Sequence, residues 1–306
     1  MRALVVGLAV AAVGCSTGSQ RVERATLPAQ SQAGAAPGRS EHLSSSGGVQ
    51  RRWLLYLPRA AGVAPAPGLP LVFDLHGSGG TPEDQLELSG LEALAESAGF
   101  AVVAPEGIDR MWNVPVDPAK PSDVSFLSQL IDEVNALAAI DRQRVYATGF
   151  SGGGRMVSQL ACDLSERIAA IAAIGGIRFP GPCSEARALP ILAFHGTADD
   201  TNPYDGGGRP YWGTGVEDAV SGWAQHNHCA ERGERSLGAN VLEIRHAGAG
   251  CGAEVVLVRI DGFGHSWPDR IGAPLTGSSD ANGETTADQA LWGFFLRHPL
   301  PASSAR

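Results

Sequence analysis

Ser151 stands between glycines in Gly149-Phe150-Ser151-Gly152-Gly153, a setting suited to a nucleophilic hydroxyl. Such a hydroxyl attacks an acyl carbon only when an imidazole takes its proton and a carboxylate holds that imidazole in the right tautomer. Both partner types follow in the chain. Asp199 lies in His195-Gly196-Thr197-Ala198-Asp199-Asp200, and His265 lies in Asp261-Gly262-Phe263-Gly264-His265-Ser266-Trp267. Upstream, His76-Gly77-Ser78-Gly79-Gly80 is a glycine-rich run whose backbone N–H groups could face a developing oxyanion, with Ser78 and Gly152 as the two donors. The chemistry would be ester hydrolysis through an acyl-serine, and it calls for no cofactor.

Each of these residues needs an element to present it. The run 144–148 reads as a short strand, and 155–164 reads as a helix, so Ser151 falls on the turn between them. A tight strand-to-helix turn lifts a serine hydroxyl clear of the sheet, and flanking glycines permit the close approaches it requires. The apolar runs 69–75, 190–194 and 254–260 read as strands that end just before Ser78, Asp199 and His265. Strand C-terminal ends are where ligand sites gather in open α/β sheets. A fourth strand is expected at 101–104. Strands alternating with helices predict an α/β fold, a mostly parallel central sheet with helices on both faces.

Competing assignments remain for the acid and the base. Asp200 and Asp205 neighbour Asp199, and Asp261 precedes the histidine loop. Position directly after the strand favours Asp199. Among the other histidines, His42 and His298 lie toward the chain ends, and His76 and His195 sit at strand ends in loop-shaping positions. The cluster His226-Asn227-His228-Cys229 has poor spacing for zinc, so no metal is expected. Trp112, Trp212 and Trp267 lie on loops that follow strands and are expected to line an acyl or aryl pocket, whereas Trp53, Trp223 and Trp292 suit core positions.

The N-terminus reads as an export signal. Met1-Arg2 is followed by an apolar run over 3–13 and by Ala12-Val13-Gly14-Cys15. That run is much shorter than the roughly 20 residues of a membrane span. A small residue before Cys15 looks like a lipobox, with Cys15 lipid-modified and the membrane as partner; ordinary secretion is the alternative. Residues 16–48 are rich in Ser, Gly, Ala, Gln and Pro and are expected to form a flexible tether. One catalytic domain is expected over 49–298, with 299–306 as a tail. With Cys15 set aside, four cysteines remain, and Cys162–Cys183 and Cys229–Cys251 are the predicted bridges because each closes a short excursion. A net charge of −9 argues against nucleic acid as a partner.

Five segments carry a family resemblance: DLHGSGGT at 74–81, RVYATGFSGGGRM at 144–156, ACDLSERIAAIAAIGG at 161–176, FHGTADDTNPYDGGG at 194–208 and GFGHSWP at 262–268. With these segments the chain resembles the polyhydroxybutyrate depolymerase-like and feruloyl esterase-like carbohydrate esterases of the α/β-hydrolase superfamily. The resemblance runs from about Arg52 to Phe295. It implies Ser151 as nucleophile, Asp199 as acid and His265 as base. It also implies an ester substrate, either an oligomeric polyester of hydroxyalkanoate units or a feruloylated or acetylated polysaccharide. The family more often has Ser-Asn-Gly-Gly where this chain has Ser151-Gly152-Gly153-Gly154, and Val-Pro-Tyr where it has Asn202-Pro203-Tyr204. Two other readings use the same shell: a serine peptidase, and a surface lipoprotein that keeps the fold for binding alone.

Overall fold

The computed structural model describes residues 35–59, 67–269, 271–272, 274–276 and 285–301. The first element is a hairpin of β1 (Gly38–Ser46) and β2 (Val49–Leu57), paired from Gly38↔Leu57 to Ser46↔Val49. Gly47 and Gly48 join the strands with φ of 59° and 77°, the left-handed pair that a two-residue hairpin turn needs. This corrects the expected tether, because residues 38–48 belong to the sheet. An edge strand is held by its backbone ladder, so β1 can be polar and still be ordered. The expected leader at 1–15 with Cys15, residues 16–34 of the expected tether and residues 302–306 of the expected tail lie outside the described residues.

Six parallel strands form the centre of the sheet: β3 (Leu69–Leu75), β4 (Ala101–Pro105), β5 (Ile140–Phe150), β6 (Ala170–Ile174), β7 (Ile191–Gly196) and β10 (Val255–Ile260). With β8 (Glu231–Gly238) and β9 (Val241–Ala247), the order is β1-β2-β4-β3-β5-β6-β7-β10-β9-β8. Every residue of β3, β4, β6 and β7 is buried. Helices cover both faces of these strands, so they read as continuous apolar runs rather than alternating ones. The outer strand β8 carries Glu231, Arg232, Glu234 and Arg235 exposed, a charged edge that resists further strand pairing.

One core cluster joins Phe73 and Ala147 to Phe126, Leu130, Val157 and Leu160 of α3 (Asp123–Leu137) and α4 (Gly152–Asp163), and to Val220 and Trp223 of α5 (Val216–His226). The second joins Val72, Tyr146 and Phe194 to Leu86 of α1 (Pro82–Ser89), Leu91 of α2 (Leu91–Ala98) and Phe294 of α6 (Ala287–Leu296). Trp53, Trp223 and Trp292 are buried in these clusters. Disulfides join Cys162 to Cys183 and Cys229 to Cys251, the pairing expected from the sequence. No helix among the described residues is long and apolar enough to cross a membrane.

Candidate active site

Strand β5 stops at Phe150, and Ser151 turns the chain into α4 with φ 53° and ψ −110°. Positive φ is costly for a residue with a Cβ, and such conformations persist where the surroundings over-determine them. Here the surroundings are close-packed backbone. A Cβ on Gly153 would lie 2.0 Å from the Leu75 carbonyl oxygen, and one on Gly149 would lie 2.6 Å from the Gly153 carbonyl carbon. Gly149 and Gly153, at the two ends of the pentapeptide, are therefore required by contact. The Ser151 N–H donates to Ile174 O at 2.8 Å, which ties the turn to the end of β6.

Asp199 lies buried in the loop after β7. Its Oδ1 accepts the amides of Thr201 at 2.9 Å and Asn202 at 2.7 Å. Its Oδ2 lies 2.7 Å from His265 Nδ1 and 3.3 Å from His195 Nε2. Burial alone would raise the Asp199 pKa. The hydrogen bonds from His195, His265 and the Asn202 amide outweigh that effect and hold the carboxyl well below the usual carboxylate range. Asp200 and Asp205 are exposed, and exposed Asp261 pairs with Arg259 at 2.9 Å. The structure thus brings His265 to Asp199 and to none of the rival acids.

The His265 loop is fastened to the acid loop. Ala198 N–H donates to Phe263 O at 2.9 Å, Gly262 N–H donates to Thr197 Oγ1 at 2.9 Å, and a Cβ on Gly196 would meet Phe263 O at 2.1 Å. The half-buried His265 ring lies 4.8 Å from the Phe150 ring, and Gly175 passes beneath it, with space for a Cβ only 3.4 Å from Cε1. Residues 174–175 thus support Ser151 through a carbonyl and His265 through close packing.

Ser78 sits against the start of α4. A Cβ on Gly152 would come within 2.5 Å of Ser78 Oγ and 2.9 Å of Ser78 N. The loop that carries Ser78 is pinned by His76: its Nε2 accepts the Gly107 N–H at 2.9 Å, and its Nδ1 pairs with Gly77 O at 2.7 Å. Gly79 N–H adds a bond to Arg110 O at 2.8 Å. The Gly152 N–H at the head of α4 and the Ser78 N–H of the loop after β3, next to a serine on a raised turn, can stabilise negative charge developing on a carbonyl oxygen.

The three tryptophans expected in a substrate pocket are buried instead. Trp112 donates its indole N–H to His76 O at 2.8 Å, and Trp212 donates to Pro203 O at 2.8 Å. Trp267 belongs to the core cluster on the α6 side. A buried indole N–H seeks an acceptor, and nearby loop carbonyls supply one to Trp112 and Trp212, so these two rings brace the loops rather than line an opening. A cavity of about 340 Å³ is lined in part by Val114, Pro115, Arg155, Arg178, Phe179 and Tyr211, and Arg155 links it to Ser78 through the 3.1 Å bond from its Nη2 to Ser78 Oγ. Sequence reasoning missed Arg155, Arg178 and Tyr211. Nothing in their local pattern marks them, because they converge from α4, the segment after β6 and the loop after β7. It also left the His195 contact with Asp199 unstated, although the spacing of four residues across the end of β7 was visible. Among the described residues, no cluster of His, Cys, Asp and Glu could hold a metal ion.

The chain is similar to known proteins to different degrees. No family model matches the chain. It is 32% identical to "Putative esterase NocK" of Nocardia uniformis subsp. tsuyamanensis over 249 residues, covering 72% of each chain. It is 27% identical to feruloyl esterase C of Emericella nidulans over 273 residues, covering 85% of this chain and 91% of that one. Among solved structures, an acetyl xylan esterase from Aspergillus awamori superposes with a TM-score of 0.57 at 14% identity, over 74% of this chain and 94% of that one.

Proposed function

Because this chain belongs to the feruloyl esterase-like esterases of the α/β-hydrolase fold and is a carboxylic ester hydrolase, we propose that it works through a Ser151-His265-Asp199 triad on feruloyl or acetyl esters of polysaccharide. The observation that carries the mechanism is the 2.7 Å contact between His265 Nδ1 and Asp199 Oδ2, in a loop fastened to the one that holds the acid. An anionic Asp199 keeps the proton on Nδ1 and leaves Nε2 free to act as base. His265 Nε2 takes the Ser151 proton as Oγ bonds to the ester carbonyl carbon. The carbonyl oxygen becomes an oxyanion that accepts hydrogen bonds from the Ser78 and Gly152 amides. Collapse breaks the bond to the alcohol oxygen, and protonated His265 returns the proton to the departing alcohol. Water then attacks the acyl-serine, with His265 again as base, and releases the carboxylic acid and free Ser151. No external oxidant, reductant or cofactor enters.

The choice of acyl group is supported by what the relatives are called, a feruloyl esterase and an acetyl xylan esterase. Export is supported by the two disulfides, which persist in oxidising compartments. Lipid attachment at Cys15 belongs to the same proposal, and intact-mass measurement of the protein from its native membrane fraction tests it.

The decisive assay compares methyl ferulate, acetylated xylan and a 3-hydroxybutyrate oligomer, each with a Ser151→Ala control. Turnover of the first two that vanishes in Ser151→Ala is the expected result. Preference for the oligomer overturns the substrate assignment and leaves the mechanism. Wild-type rates in Ser151→Ala, or no labelling of Ser151 by a fluorophosphonate, overturn the mechanism.

A further inference from the structure

We propose that the cavity linked to Ser78 through Arg155 is an anion subsite, in which Arg155 and Arg178 receive a carboxylate carried by the ester substrate. The proposal rests on the esterase reading of Ser151 and narrows the substrate class of that same site.

Two guanidinium groups, that of buried Arg155 and that of half-buried Arg178, meet this space without carboxylate partners among the described residues. Arg155 is only 9% exposed; its Nη2 donates to Ser78 Oγ at 3.1 Å, and its buried Nε has no partner. The Arg178 side chain makes no hydrogen bond or ion pair among the described residues, and its buried Nη1 is unpartnered. What each has is an aromatic face: Arg155 lies 4.2 Å from the Tyr211 ring centre and Arg178 5.2 Å from that of Trp212. The remaining walls include Val114, Pro115 and Phe179, and among the described residues no carboxylate lines the cavity.

A purely structural arginine in this protein is treated differently. The half-buried Arg187 gives its guanidinium to the carbonyls of Ser165, Ile168, Ala169 and Ala188. Burying a guanidinium without such acceptors is costly, and arginine cannot shed its proton to escape the cost. Burial lowers the pKa of both Arg155 and Arg178, and the Arg178 charge lowers that of Arg155 further. A single anion held by the two cavity-lining guanidinium groups would relieve that repulsion. The net charge of −9 means that the pair is not part of a general positive surplus.

The shape of the space points to carboxylate. Guanidinium forks pair with a planar carboxylate through parallel hydrogen bonds, and the aromatic and proline walls suit a flat group. Ser78 sets the placement relative to the reaction, because its hydroxyl accepts from Arg155 while its amide abuts Gly152. The carboxylate would therefore lie close to the scissile ester, on either the acyl or the alcohol side.

Binding to the full chain carrying Ser151→Ala tests this without turnover. Calorimetric titration near neutral pH would compare monoethyl adipate with diethyl adipate, and 4-acetoxybenzoate with its methyl ester. The first pair places the charge on the acyl side and the second on the alcohol side. The expected result is that one acid binds at least about tenfold more tightly than its neutral partner. Adding Arg178→Gln should erase that preference, and Arg178→Lys, which keeps the charge without the fork, should retain part of it. Equal or weaker binding of both acids overturns the subsite, as does a preference that survives Arg178→Gln. Hydrolysis of the neutral esters by the wild-type chain is scored separately, so loss of the subsite and loss of the esterase reading give different results.

Discussion

His195 Nε2 lies 3.3 Å from Asp199 Oδ2, the same oxygen that His265 Nδ1 approaches at 2.7 Å. His195 is buried, also contacts Asn202 O at 2.9 Å, and stacks with Trp212 at 5.7 Å between ring centres. Its Nδ1 has no partner among the described residues, so the ring presents its Nε2–H to the acid loop and fixes where the carboxylate points. Asp199 then has a firmly set orientation from which to hold His265.

His195 is accordingly a positioning residue. His195→Phe is expected to lower kcat about tenfold with KM nearly unchanged, on the scale of one lost charge-assisted hydrogen bond. His195→Gln, which keeps a donor, should recover part of the rate. Steady-state kinetics of the two variants on one ester checks this; equal losses in kcat and in thermal stability without rescue would mean a role in folding alone.

Gly152→Ala probes the proposed oxyanion pair. The new methyl would press on Ser78 Oγ at 2.5 Å and Ser78 N at 2.9 Å, so the loop must retreat. Loss of one donor predicts a fall in kcat of about 10²–10³ with little change in KM. Unaltered kcat would remove Ser78 from the oxyanion site.

Asp74 gives a pH signature. It is fully buried at the end of β3, where Gln85 Nε2 donates to Oδ1 at 2.7 Å and Ser89 Oγ to Oδ2 at 2.6 Å. Burial pushes its carboxyl up to about 7, and the bonds from Ser89 and Gln85 only partly oppose this. A raised carboxyl pKa means that the folded protein binds a proton that the unfolded chain has released. Stability contributed this way is present below about pH 4 and is lost as the pH rises toward about 7. Asp74→Asn does not titrate, so its melting temperature relative to wild type should climb across that window and level off above it. A constant difference from pH 4 to 8 would refute the assignment.

The disulfides should contribute unequally to activity and similarly to stability. They span 21 and 22 residues, for which loop closure gives about 3 kcal/mol each. Replacing both cysteines of Cys162–Cys183 by serine should cost about that much in denaturant unfolding. Cys183 also closes the segment that carries Arg178 and Phe179 of the cavity wall, so KM should rise. The Cys229–Cys251 pair lies away from that wall, and its loss should leave KM as it is.

Some of this was legible before folding. The strands 69–75 and 101–104 were readable because a parallel strand covered on both faces must be apolar throughout. The bridges were readable because short excursions leave few options. The hairpin of β1 and β2 was missed: a polar edge strand carries little periodicity, and the Gly47-Gly48 turn was its one strong local sign. The tryptophans were misplaced because sequence shows which loop a ring is on, not whether its N–H finds a carbonyl inside.

The chain by itself determined what depends on neighbours in sequence: a glycine-flanked serine at a strand-to-helix turn, and the order of serine, acid and histidine. Those features follow from backbone geometry over a few residues. Only the tertiary structure decided which acid His265 meets and that Arg155 and Arg178 line one cavity. These contacts join residues from separate strand-to-helix crossovers, and their distances are set by how the sheet twists and packs rather than by any local pattern.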